Sequence, residues 1–521
     1  MVEGKPFLVL GGELHNSSAS SIEHMRPIWE RLVVLNLNTV LAAVAWEQIE
    51  PDEGRFDFAL VDGLIQGARR HGLRLILLWF GSWKNGVSSY VPAWVKRDYR
   101  RFPLASLQNG QTAAVLSTFV ESNRQADARA FAALMRHLRA VDGGAQTVIM
   151  VQVENEVGLL GASRDHSDAA NRAFAAPVPS ELLDRLQQDK AELHEELCER
   201  WQAHGLKSAG SWEQIFGAGL ATDELFMAWN YARYVNHVAA AGKAAYELPL
   251  YVNAWLNNPS EEGTSWASGG QKPGDWPSGS PLPHTLDIWR IGAPQIDLFA
   301  PDIYFGNFAA WCQQYTRRGN GLFIPEMRRG ADGARYMFEA IGRYNALGTS
   351  PFGIDSIEFP DDAPIRASYA LLRQLAPLIL AHQGWGTITG FVLDTEHPNV
   401  TCELGGYNLL IGLDRRPGPP IEYAYGIVIS IGQDTFVGAG LGFQVTFQPA
   451  TPGPALVGIE AVDEGEYRDG QWVTGRRLNG DETYSGSMWR FPASSSDISV
   501  FPIPILGLGT GISRCTVYRY E

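Results

Sequence analysis

Short apolar runs alternate with amphipathic segments over about the first 380 residues of this chain. The run at 148–153 and the run at 249–255 are apolar almost throughout. Such a strand is buried on both faces, which is typical of a parallel sheet covered by helices. Between the runs, segments such as 58–70 and 124–141 carry apolar residues at helical spacing. This rhythm predicts repeated βαβ units.

The repeat predicts an α/β fold with eight strands. Their predicted positions are a run starting at Phe7, then 38–46, 73–79, 148–153, 249–255, 298–304, 321–326 and 351–355. Eight strands alternating with helices predict a (β/α)8 TIM barrel, which we assign to residues 1–383. Region 160–220 interrupts the repeat, includes a charged helix predicted at 180–204, and is expected to be an insertion over the barrel mouth.

The composition changes beyond residue 383. Short β-rich segments separated by Gly and Pro turns predict a smaller all-β, sandwich-like domain at 384–521. The glycine-rich stretch 438–442 resembles a nucleotide-binding loop only weakly, because no helical pattern follows it. It is predicted to be a turn between strands.

Charge and composition exclude several function classes. The net charge of −15 argues against a nucleic-acid partner. No apolar run of about 18 residues is present, so no membrane span is predicted. The histidines lack HExxH spacing, and neither a metal nor a cofactor is expected. The first strand begins too early for a signal peptide, so the compartment stays unassigned, and a periplasmic or secreted protein would require a leader that has been removed.

Two acidic residues end predicted barrel strands at the rim where such barrels carry their active sites. Glu156 follows the fourth strand and Glu326 ends the seventh, so the two carboxylates are expected to face each other across the mouth. Retaining glycosidases need two such carboxyl groups, one as nucleophile and one as general acid and base. Glu154 and Glu156 would point the same way on a strand, so spacing alone does not decide which is catalytic.

The segment Gln152 to Gly158, reading QVENEVG, resembles the acid/base signature of clan A glycoside hydrolases, in particular the family 35 β-galactosidases. Segments 4–15 and 38–58 are similar to that family's first two strands and loops. The resemblance implies that Glu156 is the acid/base, that Asn155 binds the sugar 2-hydroxyl, that Glu326 is the nucleophile and that Tyr304 donates to it. Glu154 is left as either a sugar-binding or a structural residue.

Some features depart from the commoner family 35 enzymes. The loop after Glu13 reads LHNSS where those enzymes have a His-Tyr pattern, and there is one C-terminal β-domain where they have several. The chain is therefore similar to a short bacterial branch of the family, also compared with family 42. Four further residues at strand ends are expected to contact the sugar: Glu13, Trp46, Asn253 and Trp255.

The function predicted from these observations is a retaining exo-β-glycosidase, best described as a β-galactosidase that releases terminal β-D-galactose from oligo- or polysaccharides by double displacement. One alternative is another clan A retaining enzyme, an endo-glucanase or a mannanase. Another is a carbohydrate-binding barrel without activity. An exo enzyme is expected to have a pocket closed by loop 257–283. The expected partner is a galactoside substrate, and a homo-oligomer is compatible with the sequence.

Overall fold

The computed structural model describes residues 1–258, 268–414, 421–493 and 508–521. Its first ten strands are β1 (Val9–Glu13), β2 (Thr39–Ala45), β3 (Arg74–Phe80), β4 (Leu104–Ser106), β5 (Thr112–Leu116), β6 (Val148–Val153), β7 (Leu250–Trp255), β8 (Leu298–Ile303), β9 (Phe323–Met327) and β10 (Gly348–Pro351). All except the β4–β5 pair form a closed parallel barrel in the order β1-β10-β9-β8-β7-β6-β3-β2. The predicted TIM barrel is confirmed.

The helices of the barrel lie mainly between its strands in sequence. They are α1 (Ile22–Met25), α2 (Ile28–Val34), α3 (Trp46–Ile49), α4 (Ala59–Arg70), α5 (Ala93–Arg97), α6 (Glu121–Asp142), α7 (Asp168–Ala175), α8 (Ser180–Gln188), α9 (Glu195–Ala203), α10 (Trp212–Phe216), α11 (Leu220–Ala245), α12 (Leu286–Gly292), α13 (Phe308–Tyr315), α14 (Gly330–Arg343) and α15 (Ala363–His382). Within the described parts of the chain, none of these helices combines the length and apolar character needed to cross a bilayer.

The apolar strands are buried on both faces, as their composition requires. In β2, Leu41 belongs to a cluster inside the barrel together with Ile76 and Met150, whereas Val40 and Val44 pack outward against the helices. Alternate residues of one strand therefore fill two different cores. This packing fixes the register of each strand and so fixes which residues emerge at the rim.

Two local predictions in the barrel are wrong. The eighth strand lies at Gly348–Pro351, because Gly348 pairs with Val9 and Phe323, and a turn begins at Gly353. The helix predicted at 180–204 is broken into α8 and α9 by a short turn around residues 190–192. In the region 160–220, α8 contacts α12 and α10 contacts α11. That this region is an insertion over the barrel mouth stays a prediction.

The C-terminal part is built from two antiparallel sheets. Its strands are β11 (Ile388–Asp394), β12 (Asn399–Leu404), β13 (Tyr407–Leu413), β14 (Tyr423–Gly432), β15 (Thr435–Leu441), β16 (Phe443–Pro449), β17 (Leu456–Arg468), β18 (Gln471–Arg477), β19 (Trp489–Phe491) and β20 (Ile512–Tyr520). One sheet has the order β11-β14-β15-β20-β17-β18 and the other β12-β13-β16-β19. Side chains from both sheets share a core, so the all-β prediction is confirmed.

The glycine-rich stretch is mostly strand, which corrects the predicted turn. Gly438 and Gly440 lie within β15, and only Gly442 falls at the turn before β16. A Cβ on Gly438 would lie 2.6 Å from the ring of Phe491 and 2.7 Å from that of Trp489. The glycine therefore makes room for aromatic rings of the opposite sheet.

The barrel and the C-terminal sheets are packed together. A Cβ on Gly342 of α14 would lie 2.5 Å from the backbone nitrogen of Gly390 in β11, so helix and strand are in backbone contact. One hydrophobic cluster contains Leu372 of α15 together with Ile427 and Ile512 of the sheet. The division at residue 383 stays a prediction, although α15 ends at His382 and β11 begins at Ile388.

Candidate active site

Carboxyl groups from four barrel strands meet at the C-terminal rim. Glu13 ends β1, Asp302 lies near the end of β8, Glu326 lies in β9, and Glu156 follows β6. One carboxylate oxygen each of Glu156, Asp302 and Glu326 lie within 4.8 Å of one another. All four side chains are buried. The barrel thus brings together the predicted pair, Glu156 and Glu326, with two further acids beside them.

The backbone after β6 sends Glu154 and Glu156 to different places. Both residues have left-handed φ angles, 63° for Glu154 and 45° for Glu156, which non-glycine residues rarely adopt. The strand ends at Val153, so the two side chains do not share one strand face, contrary to the spacing argument. The turn is held by the Glu156 amide, which donates to Asn253 Oδ1 at 2.9 Å. Glu156 lines the cavity and Glu154 does not.

Glu326 accepts hydrogen bonds on both carboxylate oxygens. The Tyr304 hydroxyl donates to Oε2 at 2.8 Å. The amide groups of Asn155 and Asn253 donate to Oε1 at 3.3 Å and 3.4 Å. Donors on both oxygens hold the carboxyl group in a fixed orientation, as a nucleophile requires. The contact from Tyr304 to Glu326 is the one that the family resemblance implied.

The environment of Glu156 favours its protonated form. Burial and then the nearby Glu326 carboxylate raise the pKa of Glu156 to about 8, against a lowering effect from Lys84 and from a hydrogen bond with Asp302. A carboxyl group with such a pKa holds its proton at neutral pH and can donate it to a leaving group. The two predicted catalytic residues therefore differ in their surroundings: three donors contact Glu326, whereas burial and a neighbouring carboxylate raise the pKa of Glu156.

Asp302 and Lys84 are functional-site residues that the sequence analysis did not select. Asp302 Oδ2 accepts from Asn253 at 2.7 Å, and burial, with the charges of Glu326 and Glu156, raises the pKa of Asp302 well above its usual range. Burial alone would lower the pKa of Lys84, but the surrounding carboxylates outweigh burial and raise it. A signal for Asp302 was present, since it lies two residues before Tyr304 at the end of a strand.

Lys84 and Glu13 have hydrogen-bonding capacity that the protein leaves unused. The Lys84 side chain is 95% buried, no described carboxylate lies within salt-bridge distance, and its ammonium lies 5.1 Å from the Phe80 ring centre. Both carboxyl oxygens of Glu13 are buried and have no partner among the described residues. Buried polar groups without partners carry a large free-energy cost. A ligand with several hydroxyl groups would satisfy both.

A cavity of about 310 Å³ opens above these groups. Its lining residues are Asn16, Lys84, Asn85, Glu156, Trp255, Leu256, Asn257, Ser268, Asp302, Tyr304, Phe305, Glu326 and Phe352. Of the expected sugar-binding aromatic residues, Trp255 lines the cavity. Trp46 does not, because its indole is fully buried in the core and donates to Glu50 at 2.9 Å. The sugar-binding set proposed below therefore omits Trp46.

The trio Glu156, Asp302 and Glu326 is the one group in the described chain that could offer three ligands to a metal ion. Its oxygens already receive hydrogen bonds from Tyr304, Asn155 and Asn253. An acidic cluster hydrogen-bonded in this way fits paired catalytic carboxyl groups. The expectation that the protein needs no metal stays a prediction.

Two family models match parts of the chain. The Glyco_hydro_42 model, described as beta-galactosidase, matches residues 20–224, and a model for a domain of unknown function, DUF5597, matches residues 365–490. The first match includes Lys84, Asn155 and Glu156. None of the curated proteins matches the chain.

Several solved structures resemble the chain. The catalytic domain of a beta-amylase from Paenibacillus polymyxa has 9% identity and a TM-score of 0.48, covering 68% of this chain and 96% of that one. A beta-galactosidase from Bacillus circulans sp. alkalophilus has 15% identity and a TM-score of 0.46, and one from Rahnella sp. R3 has 15% identity and a TM-score of 0.47. Both matches to the beta-galactosidases cover 73% of this chain. This chain spans only 58% of the length of the Bacillus circulans protein and 57% of that of the Rahnella protein.

The family expected from the sequence has to be corrected. The expectation was family 35, whereas the model that matches the barrel is Glyco_hydro_42. The wider expectation holds, because that model describes beta-galactosidases and the matched segment contains the acid/base signature. The chain is a clan A glycoside hydrolase with a TIM barrel, and the family model that its barrel matches is that of the Glyco_hydro_42 beta-galactosidases.

Proposed function

We propose that the protein is a retaining exo-β-galactosidase, which releases terminal β-D-galactose from oligo- or polysaccharides. The observation that carries the proposal is the separation of Glu156 and Glu326, whose nearest oxygens lie no more than 4.8 Å apart. Retaining glycosidases keep their carboxyl groups about 5 to 5.5 Å apart, whereas inverting enzymes need about 6.5 to 9.5 Å to admit a water molecule. The short separation of the pair supports the retaining arrangement.

In the first step, the Glu326 carboxylate attacks the anomeric carbon while Glu156 gives its proton to the departing glycosidic oxygen. The products of this step are the free alcohol and a galactosyl ester of Glu326. In the second step, Glu156, now ionised, takes a proton from a water molecule that attacks the same carbon. Galactose leaves with its β configuration retained, and both carboxyl groups return to their starting states.

The groups around the pair are proposed to hold one sugar ring. Lys84 donates to sugar hydroxyl oxygens and Glu13 accepts from sugar hydroxyl groups, which satisfies the two residues whose polar atoms lack partners. Asn155 is proposed to contact the 2-hydroxyl and Trp255 to stack on the ring. Asn253 supports the nucleophile and the Glu156 amide.

The size of the cavity supports an exo-acting enzyme. A volume of about 310 Å³ lies at the small end of ligand sites, which span about 300 to 1,000 Å³, and suits a single ring better than a threaded polymer. Part of loop 257–283, residues 259–267, lies outside the described residues. An endo-acting glucanase or mannanase remains the alternative that a substrate panel tests directly.

The deciding experiment is trapping with a 2-fluoro galactoside inactivator, followed by peptide mapping. We expect a label on Glu326 and β-galactose as the first product seen by NMR during turnover of an aryl β-galactoside. A label on another residue, or α-galactose as first product, would overturn the assignment. Aryl β-glucoside and β-mannoside serve as comparison substrates, and absence of turnover on all three would favour a carbohydrate-binding barrel.

A further inference from the structure

Glu154 lies behind the active site in a network that the proposed reaction does not use. Its side chain is fully buried, and its Oε2 accepts the backbone N–H of Trp83 at 2.8 Å. No amide, hydroxyl, indole or cationic group in the described chain donates to its Oε1. Instead, the carboxyl group of Asp127, from α6, lies within hydrogen-bonding reach. Two acidic side chains are therefore in contact in the interior.

Asp127 is fully supplied with donors from other residues. The Trp79 indole donates to Oδ1 at 2.9 Å, and Ser82 donates to Oδ2 from its amide at 3.2 Å and from its hydroxyl at 2.5 Å. Asp127 thus accepts three hydrogen bonds from neutral donors, whereas the Glu154 carboxylate accepts only the one from Trp83 among the hydrogen bonds of the described residues. Two carboxyl groups can form a hydrogen bond only when one of them carries the proton. Because Asp127 already accepts from three donors, the geometry indicates that Glu154 carries the proton.

Gly81 leaves room for this contact. A Cβ at residue 81 would lie 2.8 Å from Glu154 Oε1 and 2.9 Å from Asp127 Oδ1. Both distances are shorter than real Cβ contacts, so any larger residue would push into the two carboxyl groups. Gly81, directly after β3, therefore leaves the space in which the two carboxyl groups meet.

The network joins the two chain segments that supply the active site. Segment 82–84 follows β3 and brings Lys84 into the cavity, while segment 154–156 follows β6 and brings Glu156. Glu154 bonds the amide of Trp83, and the Asn155 amide donates back to the Trp83 carbonyl at 3.2 Å. Residues 154 and 156 both have left-handed φ angles, so this turn needs such support.

We propose that Glu154 is a positioning residue, which donates its carboxyl proton to Asp127 and accepts from Trp83, and so fixes Lys84 and Glu156 relative to each other. This inference rests on the proposed function for its kinetic readout only. It gives Glu154 a structural role, whereas the sequence left sugar binding and a structural role as equal alternatives.

The electrostatic surroundings agree with this geometry. Burial, followed by the Asp127 charge, raises the pKa of Glu154 well above its usual range. Two other titratable groups, both on α11, act near the pair. The Tyr234 hydroxyl lies 2.7 Å from Ser82 Oγ, and burial and the two acids raise its pKa. Burial lowers the pKa of His237, against a raising effect of the Asp127 charge. The charge of Arg124 of α6 lowers the pKa of Tyr234. Among the described residues, no cation forms an ion pair with Glu154.

The test compares Glu154→Gln with Glu154→Ala. Glutamine can donate its amide to Asp127 and accept from Trp83, so we expect kcat/KM within about threefold of wild type and an unchanged pH profile. Alanine removes both bonds, and we expect kcat to fall about 100-fold with the protein still folded, as for a misplaced catalytic group. A folded Glu154→Gln protein with a similar loss would overturn the proposal, because the residue would then have to act as a carboxylate.

Thermal unfolding against pH provides a readout that does not depend on activity. The folded state keeps the Glu154 proton to higher pH than the unfolded state, so its stabilising effect is complete below pH 4.5 and is lost as pH rises toward the folded pKa. Glu154→Gln has no such loss. We expect the Tm of Glu154→Gln to rise relative to that of wild type between pH 5 and pH 8. A Tm difference that does not change with pH would contradict a hydrogen bond made through the Glu154 proton.

A matched control is Glu50→Gln. Glu50 is also fully buried, but its oxygens face only donors: the Trp46 indole at 2.9 Å, the Gly54 amide at 2.7 Å and Arg129 at 3.5 Å. A glutamine amide there would meet another donor, so Tm should fall at every pH. If wild type lacks galactosidase activity, the proposed function fails, whereas the Tm comparison still decides the role of Glu154.

Discussion

At the scale of single residues, the two carboxyl groups proposed to be catalytic differ because of what surrounds them. Glu326 receives a tyrosine hydroxyl and two amides, while Glu156 is buried and its pKa is raised to about 8. We propose that the same chemical group serves as nucleophile in one place and as acid in the other. The charges of both carboxyl groups raise the pKa of Lys84.

The pKa of Glu156 predicts the basic limb of the pH profile. The acid must be protonated in the free enzyme, so kcat/KM is expected to fall as pH rises through about 8. The measurement is kcat/KM for an aryl β-galactoside from pH 5 to pH 10. A profile that stays flat to pH 10 would contradict the assignment of Glu156.

Replacing Lys84 with methionine should move that limb. Lys84 lowers the pKa of Glu156, so its loss is expected to shift the basic limb to higher pH. The same change removes a donor to the sugar, so KM should rise about tenfold, as expected for a lost hydrogen bond to a charged group. A shift to lower pH would show that another group sets the limb.

Replacing Glu156 with glutamine separates the acid from the nucleophile. We expect kcat to fall about 10²- to 10⁴-fold with alkyl galactosides, which need a proton on the leaving oxygen. With a dinitrophenyl galactoside, whose leaving group needs little help, formation of the glycosyl-enzyme should be nearly normal and added azide should speed its breakdown. Equal losses with both substrates would argue that Glu156 acts in another way.

At the scale of elements, the contact of α14 with β11 joins the barrel to the C-terminal sheets. A Cβ at residue 342 would approach the backbone of Gly390 to 2.5 Å, and a Cβ at residue 390 would meet the backbone of Phe338. Neither neighbour is the end of a flexible side chain, so helix and strand would have to separate.

This contact predicts that Gly342→Ala destabilises the protein although alanine favours helices. We expect a loss of about 1–3 kcal/mol, the usual range for overpacking, seen as a lower midpoint in urea unfolding. Gly144→Ala is the control, because nothing lies within 4 Å of a Cβ at that exposed position. Equal midpoints for the two variants would show that the junction adapts.

At the scale of the whole molecule, the barrel helices and the C-terminal sheet share one hydrophobic cluster. A chain ending at residue 383 would expose the faces of α14 and α15 that the sheet covers. We expect that truncated protein to be poorly soluble or to unfold at a lower Tm than the full chain, as read by scanning calorimetry. A truncated barrel with the Tm and activity of the full chain would show instead that the two parts are independent.

The sequence by itself determined the barrel and predicted that Glu156 and Glu326 lie together at its rim. Its evidence was local: strands apolar on both faces, such as β6, can be stable only between two cores, and acids at the ends of such strands must face a cleft. The family resemblance, although it named family 35 and the matching model is Glyco_hydro_42, placed Glu156, Asn155 and Tyr304 in the site.

Only the tertiary structure decided the rest, because those features depend on contacts between distant segments. Glu154 and Glu156 are two residues apart, yet the left-handed turn after Val153 directs one to Asp127 and the other to the cavity. Trp46 directly follows β2, but its indole is buried and donates to Glu50. Lys84, from the loop after β3, lines the cavity together with the carboxyl groups. The apolar periodicity of the sequence indicates which residues are buried. The tertiary structure determines which groups each buried side chain contacts.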